Sequence, residues 1–547
     1  MLLGLPASLV LGHSACFAAT RYACQGYSVT WGLGRPSRWG AVPKLHWGVC
    51  MNPKSTLILL VVAAVLGLAS CSGSNNKCTT NCTTGDASVS ITLFDTPPSG
   101  VTVLSFSLPI VGISLTPSTG SPVPIYSPTT IVPTELTRLQ AESTLLTLGS
   151  QVPAGTYTSV NVTLAASSGV FINYSGSTIA VSSSLTCPNG GVCNLPTGAA
   201  ATINVPINLT LTSGQNAWIG VDVNLNNAIT SPTTTSIGVD FTQPKTFAAI
   251  TTPRAGTPLG AFDTIGDFIG TVTAVSPSSI TVQNTITGQS LTAAVNSATE
   301  LDAAPGTYSN CTSAAACVTM GSVVSMDSAV TISNTLLATE IDTLDAVATD
   351  EVEGVIYPTA NTVTTGVVGL IISDKISASG NSTLGASSTT FGTGIFLSAG
   401  SNINYVIDTK NLTNFVQPIG FAGSGDLLAG QQIRAHVSNV TTTTSGTNSV
   451  IQANATNVLL RWSRISATIN SVALNNFTVT GLPQYITTIN TSLLTPAAVF
   501  TYQGGTLFDG VTGTGDPNFV VGGPVSIRTL FLNSNAPAFQ AAKVRVP

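Results

Sequence analysis

Apolar and polar residues alternate strictly along much of this chain, and that period constrains its fold more than any other feature. Ile203, Val205, Ile207, Leu209 and Leu211 alternate with Thr202, Asn204, Pro206, Asn208 and Thr210. Ile219, Val221, Val223 and Leu225 alternate with Gly220, Asp222, Asn224 and Asn226, and Val89, Ile91 and Leu93 with Ser88, Ser90 and Thr92. Val160, Val162 and Leu164 repeat the pattern. Period two puts the apolar set on one face of a strand. Pro206, which has no N–H to donate, marks its run as an edge strand or a bulge. Thr134–Leu146 is the one candidate helix, with Leu136, Leu139 and Leu146 at suitable spacing. Many short alternating runs separated by Gly, Pro and Asn predict an all-β protein, with a β-sandwich over residues 87–250.

The segment before these runs reads as an export signal. Met51-Asn-Pro-Lys54 is a short basic start, residues 57–68 (LILLVVAAVLGL) are apolar, and Leu68-Ala69-Ser70 leads into Cys71. Basic start, apolar run and small residues are the parts of a secretory signal, and the run is shorter than the roughly 20 residues a spanning helix needs. A cysteine directly after L-A-S resembles a bacterial lipobox, which implies lipidation at Cys71 and a membrane partner reached through the acyl chains. Residues 1–50 hold three of the five Trp and no acid. They are set apart as an upstream extension, with 51–70 as the signal peptide and 71–86 as a polar tether.

From Cys71 onward there are 12 basic and 22 acidic residues, net −10. Nucleic acid, which needs clustered Lys and Arg, is excluded as a partner. Charged residues are only 7% of the chain, where a quarter is usual, but abundant Val, Ile and Thr argue against disorder. Six further cysteines form three close pairs in sequence: Cys78 and Cys82, Cys187 and Cys193, Cys311 and Cys317. Local disulfides that staple loops in an oxidising compartment are expected. Zinc is the rival reading, but no histidine lies nearby and the spacings are not those of zinc sites.

The motifs I-T-L-F-D-T-P-P (91–98), V-P-A-G-T-Y-T-S-V (152–160) and W-I-G-V-D-V-N-L (218–225) resemble a bacterial family known as domain of unknown function 4382. That family implies no chemistry. Pro153-Ala-Gly155 reads as a turn delivering Tyr157, a packing residue, into a strand.

A weak repeat follows. Its units open at Gly266–Val275, Glu351–Ile356 and Arg464–Val472, and close with Gly321–Met326, Gly430–Val437 and Gly522–Arg528, each followed by one more strand. Strand, turn, strand, a variable middle, then glycine-strand-turn-strand predicts three small barrel-like units, over 264–346, 351–460 and 464–547. They resemble a second uncharacterised family, domain of unknown function 5666.

Chemistry-bearing motifs are few. His436 is the only histidine after Cys71 and occupies a repeated strand position. No G-x-S-x-G elbow or phosphate-binding glycine pattern occurs. Between Arg254 and Lys375 lie twelve acids and no base, six of them being Glu340, Asp342, Asp345, Asp350, Glu351 and Glu353. A solvated acidic linker is the expected reading, and a Ca²⁺ site its alternative. No catalytic, cofactor-binding or metal residue is assigned. The expectation is a non-enzymatic, lipid-anchored protein of a bacterial envelope, at the outer membrane, with a binding or scaffolding role toward a protein or glycan. The alternative is an envelope hydrolase or carbohydrate-active protein.

Overall fold

The computed structural model describes residues 85–547, apart from short internal segments, of which 193–200, 231–237, 303–312, 359–365, 385–391 and 408–420 are the longest. The extension, signal, lipobox Cys71, Cys78, Cys82, Cys193 and Cys311 lie outside the described residues. Cys187 ends a strand and Cys317 a short helical turn. Among the described residues no helix is long and apolar enough to cross a membrane.

The protein is built almost wholly of strands. In its first part, one sheet runs in the order β16 (Phe247–Ile250), β13 (Asn216–Asn224), β1 (Asp86–Thr96), β6 (Thr144–Pro153). A second runs β12 (Ala201–Leu211), β7 (Gly155–Leu164), β3 (Ile110–Pro117), β4 (Val123–Tyr126). A third joins β5 (Thr134–Glu135), β2 (Val103–Leu108), β8 (Val170–Tyr174) and β9 (Ile179–Ser182). A fourth joins β11 (Gly191–Val192), β10 (Leu185–Cys187), β15 (Gly238–Asp240) and β14 (Ile229–Thr230). The first two sheets share one core, in which Val89, Ile91, Leu93, Val160, Val162, Ile219 and Val221 are fully buried. Each such side chain contributes about 1.5–3 kcal/mol. Pro206 sits both on an edge strand and at a bulge, because the β12–β7 register shifts just after it. Tyr157 is 1% exposed, and its hydroxyl donates to the Pro153 carbonyl at 2.7 Å, closing the Pro153–Gly155 turn.

The expected helix at Thr134–Leu146 does not form. Only Leu136–Leu139 makes a helical turn, between the two-residue strand β5 and strand β6. The Glu135 carboxylate accepts from the Thr137 N–H and hydroxyl at its start. Leu136 and Leu139 fill the core from that one turn, and Leu145 and Leu146 are both buried from a strand, a demand that one helical face does not meet.

Three barrels of the same topology follow. Barrel 1 comprises β17 (Ala261–Ser276), β18 (Ser279–Gln283), β19 (Ser290–Ala294), β20 (Glu300–Asp302), β21 (Val323–Thr331) and β22 (Leu336–Asp345). Barrel 2 comprises β23 (Asp350–Tyr357), β24 (Val367–Ile376), β25 (Gly394–Ser398), β26 (Asn404–Ile407), β27 (Gln432–Ser445) and β28 (Asn448–Arg461). Barrel 3 comprises β29 (Ser463–Ala473), β30 (Asn476–Thr480), β31 (Ala497–Thr501), β32 (Leu507–Asp509), β33 (Pro524–Leu532) and β34 (Ala538–Arg545). In each, the strand order is third, second, first, fifth, sixth, fourth, and the third strand also pairs parallel to the sixth, which closes the sheet. Closure removes the exposed edges that invite aggregation. Gly270 and Gly354 hold the same place in barrels 1 and 2. A Cβ there would meet the carbonyl oxygens of Gln283 at 2.3 Å and Ile371 at 2.0 Å, so the strand crossing requires glycine.

Candidate functional site

Alternation places polar residues of half-buried strands on the outside, but on β1 the polar face is covered too. Ser90 and Thr92 are fully buried. The Ser90 hydroxyl donates to Asn334 Oδ1 at 2.9 Å and that of Thr92 to Asp263 Oδ2 at 2.6 Å, both acceptors belonging to barrel 1. The sandwich and barrel 1 therefore meet through polar faces that are satisfied by each other, as burial demands.

The same principle applied to charges builds the most distinctive feature of the molecule. All seven arginines after Cys71 (Arg138, Arg254, Arg434, Arg461, Arg464, Arg528 and Arg545) lie within an ion network, with side chains at most 17% exposed. At its centre Asp267, from β17, receives Arg464 in a short contact, Arg461 Nη2 at 3.0 Å, Arg138 Nη2 at 3.7 Å and Arg528 Nη2 at 3.8 Å. Glu142, between the helical turn and β6, receives Arg464 Nη2 at 2.7 Å and Arg528 Nε at 2.8 Å. Arg434, on β27, forks onto Glu353 at 3.0 and 2.8 Å, with a third nitrogen 2.9 Å from Glu351. Asp374 lies 3.4 Å from Arg434 and 3.6 Å from Arg138. One network thus ties the sandwich to all three barrels.

A second knot lies at the C-terminal strand. Asp509 accepts from Arg545 Nε at 2.7 Å and lies 3.4 Å from Arg254 Nε and 3.6 Å from Lys543 Nζ. Arg545 also donates to the carbonyls of Leu139 and Glu142 at 3.1 and 2.8 Å. The Phe94 ring carries the Arg254 guanidinium 3.8 Å from its centroid and that of Arg545 at 5.4 Å, a cation–π stack.

Burial by itself would raise every one of these carboxyls. At Asp267 the arginines, Arg464 foremost, outweigh burial and hold the group well below the ordinary range. At Glu353 burial is outweighed by Arg434, Arg461 and Arg138, which bring it to about 2. Asp95 and Asp222 go the other way. Asp222 is raised by burial to about 6, although the Thr96 hydroxyl donates to it. Asp95 is 1% exposed and is raised well above its usual value by burial and then by Asp222. Among the described residues neither of its oxygens has a partner in good hydrogen-bonding geometry, and the Leu225 N–H only partly offsets the burial. Burial thus favours its neutral form, and Asp95→Asn, which mimics that form, should change stability by less than about 1 kcal/mol at pH 6. Urea unfolding of the variant measures this, and a loss of several kcal/mol would mean that Asp95 is ionised.

Five of the six acids of 340–353 are not part of a solvated linker, and the side chain of the sixth, Asp345, lies outside those described. Glu340 and Asp342 on β22, and Asp350, Glu351 and Glu353 on β23, are at most 7% exposed. They are strand positions turned toward arginines and loop amides: Asp342 faces Arg461 at 3.8 Å, and Asp350 accepts from the Thr383 and Leu384 amides at 2.8 and 2.9 Å. Among the described residues no three His, Cys, Asp or Glu side chains converge as a metal-holding set. His436 is one-fifth exposed on β27, 3.4 Å from Glu351, at the rim of the network.

Residues 86–254 match a family described as Domain of unknown function (DUF4382). No curated protein matches the chain. The matched part spans β1 to β16, with the Phe94 ring of its opening motif under Arg254 and Arg545. The arginines themselves drew no notice in the sequence. The available signal was scarcity: in a chain so poor in charge, an arginine within an alternating strand marks a position with a defined partner.

Proposed function

We propose that this chain is a lipid-anchored protein of a bacterial cell envelope, whose folded part is a rigid, non-catalytic body for scaffolding or for binding a protein or glycan. The Leu68-Ala69-Ser70-Cys71 sequence behind an apolar run carries the reading, since it supplies the acceptor for a diacylglycerol thioether and an N-acyl chain, and two such anchors hold stably. Ser72, in place of aspartate, accords with sorting to an outer membrane. The polar stretch 71–86 then serves as a tether, and the paired cysteines as loop staples. The barrels' resemblance to domain of unknown function 5666 fits the same setting. Turning the arginines inward leaves an outer face dominated by Ser, Thr, Asn and apolar residues, which suits persistence outside the cell and weak charge steering of partners.

Metabolic labelling with a fatty-acid analogue tests the anchor. The wild-type chain is expected to carry label and Cys71→Ala to lose it entirely. Protease shaving of intact cells then separates a surface from a periplasmic face. Equal label in both chains, or none in either, would overturn the anchor.

A further inference from the structure

The three barrels can be superposed in register from their own hydrogen bonds. In barrel 1 the Gly321 N–H donates to the Val272 carbonyl, and the Val272 N–H to that of Ser322. Gly430, Ile356 and Gln431 repeat this in barrel 2, and Gly522, Ile469 and Gly523 in barrel 3. The three glycines share a left-handed φ of 88°, 96° and 85°. Counting from these fixed points, one row crosses the first, fifth and sixth strands of every barrel.

In barrel 1 that row reads Asp267, Asp327, Glu340; in barrel 2, Glu351, His436, Asn457; in barrel 3, Arg464, Arg528, Lys543. It is wholly acidic in the first barrel and wholly basic in the third. Two residues further along the sixth strand the inversion continues, with Asp342 in barrel 1 and Arg545 in barrel 3. The row faces outward, since the neighbouring Met326 and Ile341, and Ile527 and Val544, fill the two barrel interiors.

Two of the equivalent pairs meet each other. Asp267 contacts Arg464, and Asp327 Oδ2 lies 3.0 Å from Arg528 Nη1. A position meeting its own equivalent is the signature of a self-complementary interface between like subunits. Two copies of barrel 1 joined this way would oppose carboxylates, and two copies of barrel 3 would oppose guanidinium groups. We infer that the row is a recognition surface in which barrel 3 takes an acidic barrel of its own fold and rejects a like one, so that charge inversion decides which barrels of the chain dock. Unlike pairs are attracted and like pairs repelled, the combination that specificity requires.

The test uses the full-length chain. In a Glu142→Gln background, which removes the second carboxylate beside position 528, Arg528→Glu is expected to raise the rate of limited proteolysis between barrels at least tenfold, and adding Asp327→Arg to bring it back within threefold of that background. A doubly reversed chain cleaved as fast as the single variant would overturn the inference. If the reversed chains do not accumulate, the neutral pair decides. Asp327→Asn and Arg528→Gln should each lower the thermal midpoint, and the double variant should lose clearly less than the two losses combined. Losses that simply add would overturn it.

Discussion

Replacing Asp267 with alanine should lower stability by about 3–5 kcal/mol, the usual cost of removing one partner from a buried ion cluster. Four guanidinium groups, from Arg138, Arg461, Arg464 and Arg528, converge on this carboxylate, whose side chain is 3% exposed. Without it, the four guanidinium groups keep Glu142, Asp327, Asp374, Glu353 and Asp342 but lose the one carboxylate that all four share. Asp267→Asn, which keeps the shape and deletes the charge, should lose most of the same amount. Urea unfolding followed by fluorescence of the buried Trp218 and Trp462 measures both. The loss is expected to be smaller when Arg464 is neutralised in the same chain, because the two residues share one interaction. An Asp267→Ala chain within about 1 kcal/mol of wild type would show that the arginines find water or other acceptors, and that the network is not closed.

Stability should pass through a maximum between about pH 4 and 5, rather than near neutrality. Asp222 is raised from 3.8 to about 6, so the folded state binds the extra proton between those values. Its contribution is fully present below the unfolded value and is lost as pH rises through the folded one, about 3 kcal/mol at about 1.4 per unit. Asp95 has the same sign. Glu353 is lowered from 4.5 to about 2, so its contribution is present above the unfolded value and disappears as pH falls toward the folded one, about 3–4 kcal/mol. Asp267 acts with Glu353. Acidification from pH 8 should therefore raise the unfolding midpoint until the arginine-held carboxylates begin to protonate. Asp222→Asn should flatten the neutral limb and leave the acid limb. A wild-type midpoint that only falls between pH 7 and 5 would remove Asp222 and Asp95 from this account.

The strands were legible because period two is a local property. Val89, Ile91 and Leu93, or the run ending at Leu211, need only the chain's own spacing to be placed on one buried face. The repeated glycine before the fifth strand was legible for the same reason, since a left-handed φ selects glycine wherever that turn recurs. Thr134–Leu146 misled because three leucines at helical spacing do not reveal that Leu145 must also be buried. The acidic stretch misled because exposure is the default for charge, and the default fails only when cations arrive from elsewhere in the chain.

Sequence alone determined the all-β class, the repeat and its closing strands, and the scarcity of charge. It could not determine where the charges go. Arg464 meets Glu142 across 322 residues and Asp267 across 197, and Arg545 meets the Glu142 carbonyl across 403. Pairing at such separations leaves no local period, because it depends on which barrel faces reach one another after each has closed. Only the tertiary structure therefore decided that the polar face of β1 is buried, that Glu340, Asp342, Asp350, Glu351 and Glu353 are buried strand residues among arginines and loop amides, and that barrels 1 and 3 present opposite charge at the same place. The physical reason is the distance dependence of the forces: side-chain periodicity acts between neighbours in sequence, and ion pairing between neighbours in space.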